Sequence, residues 1–151
     1  MNDGMNVQGP GNDDYETPLW LFKALDTEFG FTFDAAANGA NHLCDQWTED
    51  IASALANNHL RGHRVFCNPP YTLIDLFVSA AQISGTFWVL LLPARTGTAW
   101  FQALRETSEV EIRFLRKRIQ FLLDGKFPLG KDGKPQGPRF DSILAITRPK
   151  P

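Results

Sequence analysis

The chain has 151 residues, 43% of them hydrophobic, and a formal net charge of −2. These values predict one globular domain with a sizeable core, and no stretch approaches the roughly 20 apolar residues that a membrane span needs. Two cysteines, Cys44 and Cys67, are too few for a disulfide framework and favour a reducing compartment such as the cytoplasm. Residues 1–14 are polar and lack Lys and Arg, so we expect a flexible N-terminal tail ahead of one domain over residues 15–151.

Helix and strand patterns alternate along this domain. Thr17-Pro18 suits a helix start, apolar residues then recur at helical spacing as far as Phe29, and Gly30 suits the helix end. The further elements that we predict are a strand at 31–34, a helix at 51–60, a strand at 64–67, a helix at 72–84, a strand at 86–92, a helix at 98–106, and strands at 110–115 and 142–147. The alternation predicts an α/β fold with a mostly parallel sheet and helices on both faces.

The tetrad Asn68-Pro69-Pro70-Tyr71 directly follows the predicted strand at 64–67, at the sheet edge where α/β proteins bind ligands. The side-chain oxygen of Asn68 and the carbonyl of Pro69 can each accept one hydrogen of an exocyclic NH2 group. The two prolines restrict the backbone, and the Tyr71 ring offers a face for stacking. The tetrad therefore predicts a clamp for a planar group that carries an amine, although Asn-Pro and Pro-Pro also occur in ordinary loops.

Five short motifs in chain order extend this interpretation. They are Tyr15-x-Thr17-Pro18, Phe33-Asp34-Ala35-Ala36, Asn68-Pro69-Pro70-Tyr71, Pro93-Ala94-Arg95-Thr96 and Arg118-Ile119-Gln120-Phe121. Together they resemble phage-type DNA N6-adenine methyltransferases (Dam-like) from about Tyr15 to Ile146. The resemblance implies a Rossmann-like catalytic domain over 15–151, S-adenosylmethionine as methyl donor, and double-stranded DNA as partner. It also implies a phage- or prophage-encoded enzyme that acts in the cytoplasm of a bacterial host.

The resemblance implies a cofactor pocket lined by the Thr-Pro segment and by the acidic residue after the first strand. The cofactor-binding residues that we expect are Tyr15, Thr17, Pro18, Asp34, Ala35, Ala36 and Asp50. Residues 35–39 replace the glycine-rich turn that methyltransferases usually have here. Asp45, Glu49 and Asp50 are all candidates for the acid that binds the cofactor ribose, and Asp50 is preferred. A helix start alone would also explain Thr17-Pro18, and a capping or surface role would explain Asp34.

The catalytic residues that we expect are Asn68, Pro69, Pro70 and Tyr71. The lone pair of the adenine amine is delocalised into the ring, so two acceptors on its hydrogens would favour a tetrahedral nitrogen and stabilise its developing positive charge. In a duplex the base must be flipped out, with Tyr71 as the stacking platform. No nucleophilic cysteine is needed, and neither cysteine follows a proline.

The last part of the chain is basic. From Arg113 onward ten Lys or Arg face three Asp, a net charge of +7, against −9 for the remainder. We expect phosphate contacts from the loop at 124–139 and from nearby cations, although a solvated surface would have the same composition. The predicted DNA-binding residues are Arg95, Arg116, Lys117, Arg118, Lys126, Lys131, Lys134 and Arg139.

Other interpretations are a metal site, a different methyl acceptor and a protein without catalysis. The spacing His59-x-x-x-His63-x-x-x-Cys67 suggests zinc, but Cys67 lies in a predicted strand and no Cys-x-x-Cys pair exists, so we expect no metal. Related tetrads also occur in methyltransferases that act on RNA guanine amines and on protein glutamine amides, so these acceptors are alternatives. A DNA-binding remnant without catalysis is another alternative. No pattern specifies the oligomeric state.

Overall fold

The structure, a computed structural model, describes residues 12–107, 109–134 and 140–149. Within these ranges the helices are α1 (Leu19–Phe29), α2 (Ile51–Ala56), α3 (Ile74–Ser84) and α4 (Ala99–Arg105). The strands are β1 (Phe33–Asp34), β2 (Gln46–Trp47), β3 (Arg64–Cys67), β4 (Phe87–Pro93), β5 (Val110–Phe114) and β6 (Ser142–Thr147). Short 3₁₀ helices occupy Asn12–Asp14 and Tyr71–Leu73. None of the described helices is long and apolar enough to cross a membrane.

The six strands form one mixed sheet in the order β2-β1-β3-β4-β6-β5. β2, β1, β3 and β4 pair in parallel, whereas β6 pairs antiparallel with both β4 and β5. The predicted α/β class is confirmed. The sheet is mixed because β6 runs against its two neighbours, which the apolar composition of the strands did not reveal.

Successive residues of the central strand β4 point to opposite faces of the sheet. Trp88, Leu90 and Leu92 belong to a core cluster with residues of α2, α3 and α4. Val89 and Leu91 belong to a second cluster with residues of α1. The sheet is therefore covered by helices on both faces, and its unbroken apolar strands are buried on both sides.

The ends of α1 confirm the helix boundaries that the sequence predicted. Pro18 precedes the helix in an extended conformation. Gly30 follows it with φ = 65°, and its N–H donates to the Asp26 carbonyl. A left-handed residue at this position is the common helix end that glycine adopts without strain. β2 was not predicted, since its two residues are too few for a periodic pattern.

The chain before α1 is docked against the region after the tetrad. The Asp13 carboxylate accepts hydrogen bonds from the backbone N–H of Thr72 (2.9 Å) and from its hydroxyl (2.6 Å). Residues 1–11 of the predicted tail lie outside the described residues. Among the described residues, the docked part of the chain includes Asn12–Asp14, which were predicted to belong to the tail.

Candidate active site

A cleft lies where β1 and β3 end at the same edge of the sheet. The chain leaves β1 towards β2 on one side and leaves β3 towards β4 on the other, which makes this edge a topological switch point. The cleft has a volume of about 530 Å³, within the range of small-molecule sites. Asp34 at the end of β1 and Asn68 after β3 both line it.

The cleft brings together most of the predicted cofactor residues. Tyr15, Thr17, Asp34 and Ala36 line it together with Asn68 of the tetrad. Two others are buried beside it. Pro18 caps α1, and the N–H of Ala35 donates to the Phe66 carbonyl at 2.9 Å.

Asp50 does not join this group. Its carboxylate accepts the N–H of Ser53 at 3.1 Å and caps the start of α2. The hydroxyl of Thr48 bonds to the Asp50 backbone and sets this turn. The side chain that we preferred for the cofactor ribose is therefore a helix cap outside the cleft wall, because α2 starts immediately after it.

Asp34 is 3% exposed and holds the loop that follows β1. One carboxylate oxygen accepts the N–H of Ala36 (3.3 Å) and the other accepts that of Leu43 (3.0 Å). Burial raises the pKa of Asp34 above its usual value of 3.8, and these two N–H groups and the charge of His42 oppose that shift. The carboxylate thus shapes the cleft wall in addition to lining it.

This burial predicts a pH-dependent stability. Because the folded pKa of Asp34 lies above 3.8, its stabilising contribution is greatest below pH 3.8 and is lost as pH rises through the folded pKa. In urea unfolding from about pH 3.5 to about pH 6.5, the free energy of unfolding of the wild type should fall relative to that of Asp34→Asn, whose amide does not ionise. A difference that is the same at every pH would contradict the raised pKa.

The Asn68 amide is held by one end only. Its Nδ2 donates to the Tyr15 carbonyl at 3.2 Å. Its Oδ1 is buried and has no hydrogen-bond partner in the part of the chain that the structure describes. A buried acceptor without a partner is costly, so this oxygen is suited to a donor brought by a ligand.

Tyr71 belongs to an aromatic cluster that we define as Tyr15, Tyr71, Phe121 and Phe140. Its ring lies edge-on to Tyr15 (6.3 Å between centroids) and to Phe140 (5.4 Å). Burial raises the pKa of the Tyr71 hydroxyl, which has no partner among the described residues. The hydroxyl therefore stays neutral. The carbonyl of Pro70, the residue before Tyr71, accepts the N–H of Leu73 at 2.9 Å and closes the 3₁₀ turn.

Neither cysteine is suited to act as a nucleophile. Burial raises the pKa of Cys44 to about 12 and that of Cys67 well above its ordinary value. A thiol with a raised pKa supplies little thiolate at neutral pH. In the described ranges, no three His, Cys, Asp or Glu side chains form a group that could hold a metal ion.

Two stretches of the cleft wall were missed by the sequence analysis. His42 and Leu43 belong to the loop held by Asp34, and His42 stacks on Trp47 at 5.1 Å. Leu122 and Gly125 come from the late basic segment. The first stretch lies within nine residues of Asp34, so its closeness in sequence was a usable signal, whereas the second is remote in sequence and carried none.

Hydrogen bonds to Glu16, which lies just before α1, hold part of the late basic segment at the cleft. The backbone of Glu16 exchanges two hydrogen bonds with Leu122, at 2.7 and 2.9 Å. The Glu16 carboxylate accepts the N–H of Gly125 at 2.9 Å. Asp124 and Gly125 both have positive φ, which closes a tight turn between Leu123 and Lys126.

The predicted phosphate-binding cations occupy three places. The Arg95 guanidinium lies 5.8 Å from the Phe140 ring, and that of Arg118 pairs with Asp141 at 3.5 Å, so both flank the carboxyl end of β4. Arg116 and Lys117 are exposed after β5. Lys126, Lys131 and Lys134 are exposed in two tight turns rather than in one open loop, and Arg139 lies outside the described residues.

These features define an α/β protein with a cleft at the carboxyl edge of its sheet, where proteins of this class bind ligands. The sequence matches the family described as DNA N-6-adenine-methyltransferase (Dam) over residues 4–150, and the chain belongs to this family. It is 29% identical to the DNA N-6-adenine-methyltransferase of Escherichia phage T1 over an alignment of 159 positions. That alignment covers 96% of this chain and 66% of the phage protein, so the chain spans about two thirds of its relative's length.

Proposed function

We propose that this protein transfers a methyl group from S-adenosylmethionine to the N6 amine of adenine in DNA. The observation that carries the proposal is that Asn68, which lines the cleft in a chain of the Dam family, has a buried Oδ1 without a hydrogen-bond partner among the described residues. Strand order, parallel core strands and a cleft at the switch point support a Rossmann-like methyltransferase domain.

The cleft fits the proposed cofactor in size and in polarity. The residues that would hold it are Tyr15, Thr17, Asp34 and Ala36. The small residues after β1 permit the cofactor to approach the protein backbone closely. When bound, S-adenosylmethionine supplies an electrophilic methyl group. The residues of this chain then have to present an amine nitrogen to that methyl group and keep water away.

Asn68 and Pro69 perform the first task in this proposal. The Asn68 Oδ1 and the Pro69 carbonyl accept the two amine hydrogens and favour a nitrogen whose lone pair faces the methyl group. They also stabilise the positive charge that develops on the nitrogen. Both acceptors are fixed before the substrate arrives, since Pro69 and Pro70 restrict the backbone and the Asn68 amide is tied to Tyr15.

Tyr71 and Phe140 receive the base. An adenine paired in a duplex cannot reach the cleft, so the base is flipped out and stacks on the Tyr71 ring. The rings of Tyr71 and Phe140 lie edge-on with centroids 5.4 Å apart, so a base stacked on Tyr71 would also lie near Phe140. Arg95, whose guanidinium lies beside Phe140, would contact the phosphate backbone of the extruded nucleotide in this proposal.

The late turns supply the remaining phosphate contacts. Lys131 and Lys134 are exposed in a tight turn of the segment whose earlier turn lines the cleft. DNA bound over the cleft would therefore pass within reach of these cations. An enzyme that acts on DNA in a bacterial host would be located in the bacterial cytoplasm.

Replacing Lys131 and Lys134 with alanine should flatten the salt dependence of DNA binding. Each lost phosphate contact removes a slope of about −0.9 in a plot of log affinity against log salt, so the double variant should lose one to about two units on all sequences alike. Fluorescence anisotropy at several salt concentrations measures this. The control is Lys23→Ala with Arg61→Ala, which removes the same charge from α1 and from a turn before β3. Equal slopes in the two double variants would remove Lys131 and Lys134 from the DNA interface.

One experiment tests the proposed function itself. Calorimetric titration with S-adenosylmethionine tests cofactor binding. Methyl-labelled cofactor is then offered with duplex DNA, RNA and protein, and the DNA is digested to nucleosides. We expect labelled N6-methyladenine from DNA. Label in RNA or in glutamine would support the alternative acceptors, and no cofactor binding would support a DNA-binding remnant.

A further inference from the structure

The orientation of the Asn68 amide decides whether the clamp works. An amide has one end that donates and one that accepts, and a 180° rotation exchanges them. The Tyr15 carbonyl, 3.2 Å from Nδ2, can only accept, so the amide must turn its NH2 group towards Tyr15. Its Oδ1 is then directed away from Tyr15, as the buried acceptor that has no hydrogen-bond partner among the described residues.

Tyr15 is itself fixed on both sides. Its ring stacks on Phe121, with centroids 5.4 Å apart and planes inclined by 6°, and meets the edge of Tyr71. The next residue, Glu16, is held to Leu122 through two backbone hydrogen bonds. The carbonyl between these anchors has little freedom to follow a rotating amide.

We propose that Tyr15 is a positioning residue whose backbone carbonyl orients Asn68, so that this clamp requires asparagine and not aspartate at position 68. The proposal rests on the proposed function, in which Oδ1 of Asn68 accepts a hydrogen of the target amine. A carboxylate would still offer an acceptor to the amine. Its second oxygen would face the Tyr15 carbonyl, and two acceptors in contact repel each other.

Protonation reverses this defect. A neutral carboxyl group donates its O–H to the Tyr15 carbonyl and keeps its other oxygen as the acceptor, as the amide does. Asn68→Asp should therefore be about 10²–10³-fold slower than the wild type at high pH, because a carboxylate repelled by the Tyr15 carbonyl no longer holds its other oxygen in the accepting position. Its rate relative to the wild type should rise about tenfold per pH unit as pH falls towards the pKa of the introduced carboxyl group.

The test measures single-turnover methyl transfer to DNA by the wild type, Asn68→Asp and Asn68→Ala from about pH 6 to about pH 9. Glu16, Asp34, His42 and Asp124 line the same cleft, and Tyr71 lies beside it, in all three proteins, so the rate ratio isolates position 68. Asn57→Asp is the matched control, since Asn57 Nδ2 donates to the Ser53 carbonyl at 2.9 Å in the exposed C-cap of α2, outside the tetrad and the cleft wall. We expect the wild-type rate and pH profile for this control.

Two outcomes overturn the proposal and leave the proposed function standing: Asn68→Asp at the wild-type rate at every pH, or a loss without recovery at low pH. Wild-type activity in Asn68→Ala would instead overturn the proposed function. A second measurement uses the wild type, so it does not depend on whether the variants at position 68 fold. In the ¹⁵N-labelled wild type, nuclear Overhauser effects should link the Asn68 side-chain NH2 to the Tyr15 and Glu16 backbone. Their absence would overturn the positioning role.

Discussion

Asn68→Ala is expected to lower the rate of methyl transfer by about 10²–10³-fold. The loss arises in the chemical step, because Oδ1 is the buried acceptor that the substrate amine would satisfy. Single-turnover assays at saturating cofactor and DNA measure the rate, and calorimetry measures cofactor affinity, which we expect to change far less. The effect of the lost amide should thus fall mainly on kcat.

Asn57→Ala provides the control for this substitution. It removes an asparagine amide that also donates to a backbone carbonyl, but in the exposed cap of α2. We expect it to transfer methyl groups at the wild-type rate. If the two alanine variants had the same rate, the tetrad would not be the amine clamp.

Tyr71→Ala should lower methyl transfer by about 10- to 100-fold, since stacking of one base on an aromatic ring contributes about 1–3 kcal/mol. The loss should shrink when the target adenine is placed opposite a gap or in a single strand, where less extrusion is required. Comparing the rates on these substrates with the rate on intact duplex measures the effect.

Tyr71→Phe separates the ring from the hydroxyl. It keeps both aromatic faces and removes a buried hydroxyl that lacks a partner among the described residues. Its loss of rate should be smaller than that of Tyr71→Ala by at least about tenfold. Equal losses in the two variants would assign the function of Tyr71 to its hydroxyl group and would reject the stacking platform.

Local signals in the sequence were sufficient for most helices and strands. Pro18 and Gly30 bound α1, and the apolar triplet that ends at Cys67 marks β3 at its observed limits. The direction of β6 was beyond such signals. A strand buried on both faces is apolar throughout whether its neighbours run parallel or antiparallel, and β6 is such a strand.

The candidate site divides in the same way. Motif order placed Tyr15, Thr17, Asp34 and Asn68 in one site, and they line one cleft. The acid proposed to bind the cofactor ribose was ambiguous, because the sequence alone does not distinguish a carboxylate that caps a helix from one that faces a ligand. Gly125 could not be assigned, since it reaches the cleft only through hydrogen bonds to a residue more than a hundred positions earlier.

The position of β6 has a consequence for how the molecule is assembled. β5 pairs only with β6 among the described strands, and β6 fills the space between β4 and β5. Until residues 142–147 are available, β5 has no partner among the described strands and one edge of β4 is open, so two of the five strand pairings depend on contacts of long sequence separation. The Ala94 N–H bonds to the Asp141 carbonyl directly before β6. The sheet edge beside Arg95 and Phe140 is therefore completed only after residues 142–147 have been synthesised.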